Sequence, residues 1–179
     1  MLDLPKHPVL RGHPLHAMLS DLPIGLLPAA AAATLAAGKR SRRNRGAHRI
    51  ADLLTTMTFA SAAAAAGAGI WDWLTIPRSH PAWLPATIHG GINAGGVLAL
   101  GAAVARPRRR LALLAAVGGG TLVSAWLGGD LVYVHGWRVK PAEEYEIVAE
   151  HAGAADGAVI GEARDEVARF EHEKTFLAH

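Results

Sequence analysis

The sequence predicts an all-α fold, an integral membrane four-helix bundle with a short acidic extramembrane tail. Three observations lead there. Four apolar stretches of about twenty residues follow one another, each long enough to cross a hydrocarbon core of about 30 Å at 1.5 Å per residue. Arginine-rich and tryptophan-rich connections alternate between them. After Pro141 the apolar runs stop, and ten acidic residues stand against three basic ones. The expected organisation is a transmembrane domain over residues 1–140 and an acidic, partly helical tail over 141–179.

Composition narrows the chemistry. Hydrophobic residues make up 51% and charged ones only 18%, below the quarter or so usual for soluble domains. There is no cysteine, which excludes disulfides, thiolate zinc sites, cysteine-held iron–sulfur clusters and covalently attached c-type haem. Any metal would have to be held by His, carboxylate, Met or Tyr. Lys6 and Arg11 ahead of the first apolar run imitate a secretory signal, but the run is too long for one and three more follow.

The first segment spans Pro14 to Ala37, with Pro14 suited to a first helical position. Pro23 and Pro28 inside it predict a kink or locally broken bonding. Six basic residues follow, from Lys39 to Arg49. The second segment covers Ile50 to Gly69, and Trp71 to Leu84 reads as a loop rich in Trp and Pro. The third spans Pro85 to Ala105 and is followed by Arg106, Arg108, Arg109 and Arg110; the fourth runs from Leu111 to Tyr133. Beyond the shared layout of helix, basic loop and helix, no strong internal repeat is legible. Gly91 with Gly95, and the run Gly118 to Gly120, are where helix backbones are expected to approach closely. In the tail, Ala163, Val167, Phe170, Lys174 and Leu177 fall at the spacing of a surface helix.

Orientation follows from the basic residues. The two arginine-rich loops hold six and four of them, against five on the other side, so those loops are expected in the cytoplasm. Both termini are then extracytoplasmic, and a bacterial inner (cytoplasmic) membrane is the expected location. All five tryptophans fall near the outward ends, as an interfacial belt would. The arginine runs thus have a topological reason; the lipid bilayer is an expected partner and nucleic acid is not.

Polar residues gather toward the same outward ends. Counted from the basic anchors, Asn93 lies about 20 Å from the cytoplasmic side, His89 and Asp21 about 26, Asp130 about 30, His16 about 33, Asp72 about 35, and His13 and His135 about 38. Asp52 beside Arg49 reads instead as an ion pair at the cytoplasmic edge. Ionisable residues within spanning segments are costly and so mark candidate sites. His13 and His16 share a face if the helix has begun by then, as His89 and Asn93 do four residues apart. Two imidazoles on facing helices suit the axial positions of a b-type haem, giving His13, His16, His89, His135 and Asn93 as candidates. A divalent metal is the alternative ligand, held by His13, His16, Asp21, Asp72, His89, Asp130 and His135. Either would serve electron transfer, with a redox or outer-surface protein as partner. The rival reading is a non-catalytic structural or partner-binding subunit whose His and Asp residues form a hydrogen-bonded network. Asp21 lies deep enough that it is expected to pair with a neighbouring helix. No GxSxG, HExxH or phosphate loop is present, and no enzyme activity is assigned.

The motifs GHPLHAMLSDLPIG, WDWL, His89 with Asn93, and LGGDLVYVHG resemble those of the bacterial membrane proteins of domain-of-unknown-function family 2231, over about residues 12 to 139. The resemblance implies a four-helix membrane unit. Some relatives look like fusions to a Rieske-type iron–sulfur domain, which implies electron transfer at the outer surface; the cysteine-free tail here departs from them. Relatives often carry a histidine where this chain has Asp21.

Overall fold

A computed structural model describes residues 9–10, 13–39 and 43–137. Four helices form in chain order: α1 (Leu15–Ala37), α2 (Arg45–Leu74), α3 (Trp83–Ala105) and α4 (Arg110–Tyr133). All four are long and apolar enough to cross a membrane, so the expected bundle of spanning helices is present. Each helix packs on the next, and α4 closes back on α1. Neighbours therefore run antiparallel, with one arginine-rich and one tryptophan-rich end. The chain divides into two units after His135; the tail, with its expected surface helix, lies outside the described residues.

Several boundaries differ from expectation. A two-residue antiparallel pair precedes α1, with β1 (Val9–Leu10) against β2 (His13–Pro14). His13 is therefore on a strand and shares no helix face with His16. Pro14 caps α1 from an extended conformation, at φ −60° and ψ 123°, one residue ahead of the helix. α1 continues as one helix past Pro23 and Pro28, whose missing N–H groups leave the carbonyls of Leu19 and Ile24 without their usual helical donors, the local break in bonding that was expected. α2 is longer than its apolar segment, taking in Arg45, Arg49 and the stretch Trp71 to Leu74. Hydropathy marks only what must sit in hydrocarbon, whereas helical hydrogen bonding continues until something stops it. Here that is Pro77, which disfavours helical backbone at Ile76.

The turns at the two ends are tied down locally. Gly38 ends α1 at a φ of 60°, a conformation that favours glycine. The Asn44 amide then donates to the carbonyls of Ala37 at 2.6 Å and Lys39 at 2.7 Å, closing the last turn. At the tryptophan end, the Trp73 indole N–H donates to Thr87 Oγ1 at 2.9 Å and clamps α2 to α3. Its ring lies 6.5 Å from that of Trp83.

The core is built from slim side chains. Leu27, Ala30, Leu100, Ala103, Leu114 and Val117 form one buried cluster. Thr55 and Thr58 are fully buried beside their own helix carbonyls, donating to Ala51 O and Leu54 O at 2.7 Å each, so no hydroxyl is left dry. Burial also exposes a repeat that residue identity hides. His16, Leu27 and Ala30 on α1 have the same spacing as His89, Leu100 and Ala103 on α3, and both Leu and Ala pairs are buried. Ala51, Thr55, Thr58 and Ala65 on α2 match Arg110, Leu114, Val117 and Ser124 on α4 position for position, all of them buried. The bundle is thus two similar hairpins, α1–α2 and α3–α4.

Candidate functional site

The repeat carries the polar zone with it. On α1, His16 Nδ1 lies 2.8 Å from the carbonyl oxygen of Ala65 on α2. A carbonyl only accepts, so Nδ1 carries the proton and donates. One helical turn on from Ala65 is Gly69, and its lack of a side chain is what admits the ring. A Cβ there would stand 2.8 Å from His16 Cε1 and 2.9 Å from Nδ1.

The second hairpin uses the same device. His89 Nδ1 lies 2.8 Å from the carbonyl oxygen of Ser124 on α4. One turn on is Gly128, where a Cβ would stand 3.2 Å from His89 Cε1. This bracket is further closed by two polar side chains. With the proton on Nδ1, the neutral ring presents a lone pair at Nε2, which accepts from the Asn93 amide at 2.9 Å. The Asn93 carbonyl oxygen in turn accepts from the Ser124 hydroxyl at 3.0 Å. Donors and acceptors therefore match around His89, Asn93 and Ser124, and both ring nitrogens of His89 are engaged.

The two brackets meet. The rings of His16 and His89 stand edge to face, with centroids 6.2 Å apart and planes at 88°. Counting from the arginine loops set them about 7 Å apart in depth, because α1 continues to Ala37 past its buried Ala30 while α3 stops two residues after the matching Ala103. His16 has no counterpart of the closing pair. Ala65 stands where Ser124 does, and Ser20, at the position of Asn93, donates instead to Ala17 O at 2.8 Å. Among the described residues His16 Nε2 has no hydrogen-bond partner.

Of the expected site residues, the structure brings together His16, His89 and Asn93. Asp130 and His135 form a local pair at the end of α4, with 3.7 Å between carboxylate and imidazole. Asp72 lies on the last turn of α2, where its backbone carbonyl accepts from the N–H and the hydroxyl of Thr75. His13 sits on β2, and its side chain is outside the described ones. Asp21 reverses its expectation: it is exposed on the surface of α1 and pairs with no neighbouring helix among the described residues. Asp52 also finds a different partner from Arg49. Its carboxylate lies 2.7 Å from Arg110 Nη2, joining α2 to α4, with the Arg110 side chain 4% exposed. The spacing of two arginines along the sequence could not reveal this, since Arg110 becomes interior only when the four helices assemble.

The residues that sequence reading missed are Ala65, Gly69, Ser124 and Gly128. Their signal was present: sliding α2 along α4 aligns Ala65 with Ser124 and Gly69 with Gly128. Of the glycines expected at close contacts, only Gly120 faces a neighbouring helix, where a Cβ would stand 3.7 Å from Ile92 Cγ2. A Cβ at Gly91, Gly95, Gly118 or Gly119 would meet nothing within 4 Å.

No group of three or more His, Cys, Asp or Glu able to hold a metal ion is found among the described residues. The donor set also fits two-histidine haem ligation poorly as it stands, since His89 has no free lone pair. A family model described as "Predicted membrane protein (DUF2231)" matches residues 12–141. The chain belongs to this family. Both histidine brackets fall inside the span shared with the DUF2231 family. No curated protein and no solved structure matches the chain.

Proposed function

We propose that this DUF2231 protein is a non-catalytic membrane subunit, in which the two histidine brackets are a structural lock at the tryptophan-rich end of the bundle. One observation carries the reading: both nitrogens of His89 are committed to the ring of bonds with Ser124 and Asn93. A ligand or proton carrier needs a nitrogen to spare. A lock does not. In lipid a hydrogen bond between helices is worth about 0.6 to 1.7 kcal/mol, so three or four such bonds are enough to fix helix register. The excess of arginine and lysine in the two loops at the opposite end supports placing those loops in the cytoplasm and the histidine zone outward.

A second reading is supported by the meeting of His16 with His89. There the open Nε2 of His16 would be a first ligand to haem or a metal ion, and Asn93 would have to release His89 to supply a second. Absorbance spectra and metal analysis of protein purified from haem-replete cells separate the two. A structural lock gives colourless, metal-free protein that is destabilised by Asn93→Leu. A Soret band, or stoichiometric metal lost on His16→Ala, would overturn the lock in favour of a cofactor site.

A further inference from the structure

Arg106, Pro107, Arg108 and Arg109 make up the whole turn between α3 and α4, and they line an open cavity of about 660 Å³. The Arg109 N–H donates to Arg106 O at 2.9 Å, and Pro107 stiffens the backbone between them. Three guanidinium groups are therefore carried on one tied-down turn. All three are exposed, and among the described residues none has a hydrogen bond or an ion pair. Nothing acidic offsets them. Asp21, Asp72 and Asp130 lie toward the tryptophan-rich end, and Asp52, the remaining acid among the described residues, is held by Arg110 at 2.7 Å.

This arrangement works against itself. The three positive charges repel one another, and Arg108 and Arg109 stand at the start of α4, where the helix dipole is positive as well. No side chain caps the helix there, so its first N–H groups are also left open. Orientation in the membrane asks only for positive charge, which lysine supplies equally. Yet every basic residue of the two loops except Lys39 is arginine. A guanidinium fork engages two phosphate oxygens at once, which an ammonium does not.

We propose that this turn binds the headgroup of an anionic phospholipid, with Arg106, Arg108 and Arg109 holding its phosphate oxygens. Position selects a lipid over a soluble phosphate. α3 ends at Ala105 and α4 begins at Arg110, and both are long and apolar enough to span, so the turn lies at the level of the bilayer headgroups. Leu98 and Leu111, both exposed just below it, offer apolar surface to the acyl chains. Three guanidinium groups outweigh a single phosphodiester, so a headgroup with two phosphates fits the charge better. This inference does not rest on the histidine lock, and it holds whichever way the bundle faces.

The probe is cardiolipin, with phosphatidylcholine as the neutral control, titrated onto the full chain in detergent micelles and read by native mass spectrometry. Sidedness has no meaning in a micelle, so loss of arginine acts on binding and not on insertion. Cardiolipin is expected to bind saturably and about tenfold or more tighter than phosphatidylcholine. Replacing Arg106, Arg108 and Arg109 together by glutamine should weaken it about tenfold or more. The same change at Arg43, Arg45 and Arg49, also exposed at this end, removes equal charge and should weaken it by less than about threefold. Arg110 is left in place because it holds Asp52, and helical circular dichroism of both triple variants should match the parent. Equal weakening by the two triple variants, which a diffuse basic surface would give, overturns the proposal. So does equal uptake of the two lipids, or displacement of cardiolipin by excess inorganic phosphate, which would make this a site for a soluble anion.

Discussion

Gly69→Ala tests the packing of His16 in one methyl group. The added Cβ would stand 2.8 Å from Cε1 of the imidazole, whereas carbon atoms in contact settle near 3.5 to 4.0 Å. The ring has to retreat by about 0.7 Å or more, away from the very helix that holds it, and Nδ1 leaves the Ala65 carbonyl now 2.8 Å away. Losing that bond costs about 1 kcal/mol in a membrane protein, and the forced shift adds about 1 to 3 kcal/mol. Replacing a helical glycine by alanine returns about 0.5 to 1 kcal/mol. Gly67→Ala on the same helix gains that propensity without a clash, because nothing lies within 4 Å of its Cβ position. The two variants should therefore differ by about 2 to 4 kcal/mol, read as unfolding in mixed detergent micelles followed by helical circular dichroism. In a His16→Ala background the gap should close, since the methyl then fills the space the ring vacated. Equal stability of the two variants in the parent chain would refute the bracket geometry.

Two further outcomes are expected. Asp52→Ala removes the carboxylate from a guanidinium that is only 4% exposed; with the acid itself 38% exposed, the loss should be about 1 to 3 kcal/mol. Arg110→Met combined with Asp52→Leu should recover most of it in the same unfolding assay, because no buried charge is then left unpaired. Reporter fusions test the orientation: a fusion after Arg108 should report cytoplasm and one at Arg78 the opposite side, and the reverse pattern would turn the bundle over.

The length and hydropathy of four segments, broken by arginine loops, determined by themselves that this is a bundle of spanning helices. That much is local, since each apolar segment must satisfy its own backbone hydrogen bonds in lipid whatever its neighbours do. His89 with Asn93 was legible for the same reason, as four residues on one helix fix a shared face. Which groups meet across helices was not local. His16 and His89 reach one another because the buried pairs Leu27–Ala30 and Leu100–Ala103 set the two hairpins in matching register, and depth counted from loop charges could not see that register. Gly69 and Gly128 acquire their purpose only when a ring from another helix lies on them. Asp21 shows the same limit from the other side. Sequence placed an acid within the apolar span, and only the packing of α1, which buries Leu27 and Ala30 and turns Asp21 away from them, decided that it faces outward rather than into the bundle.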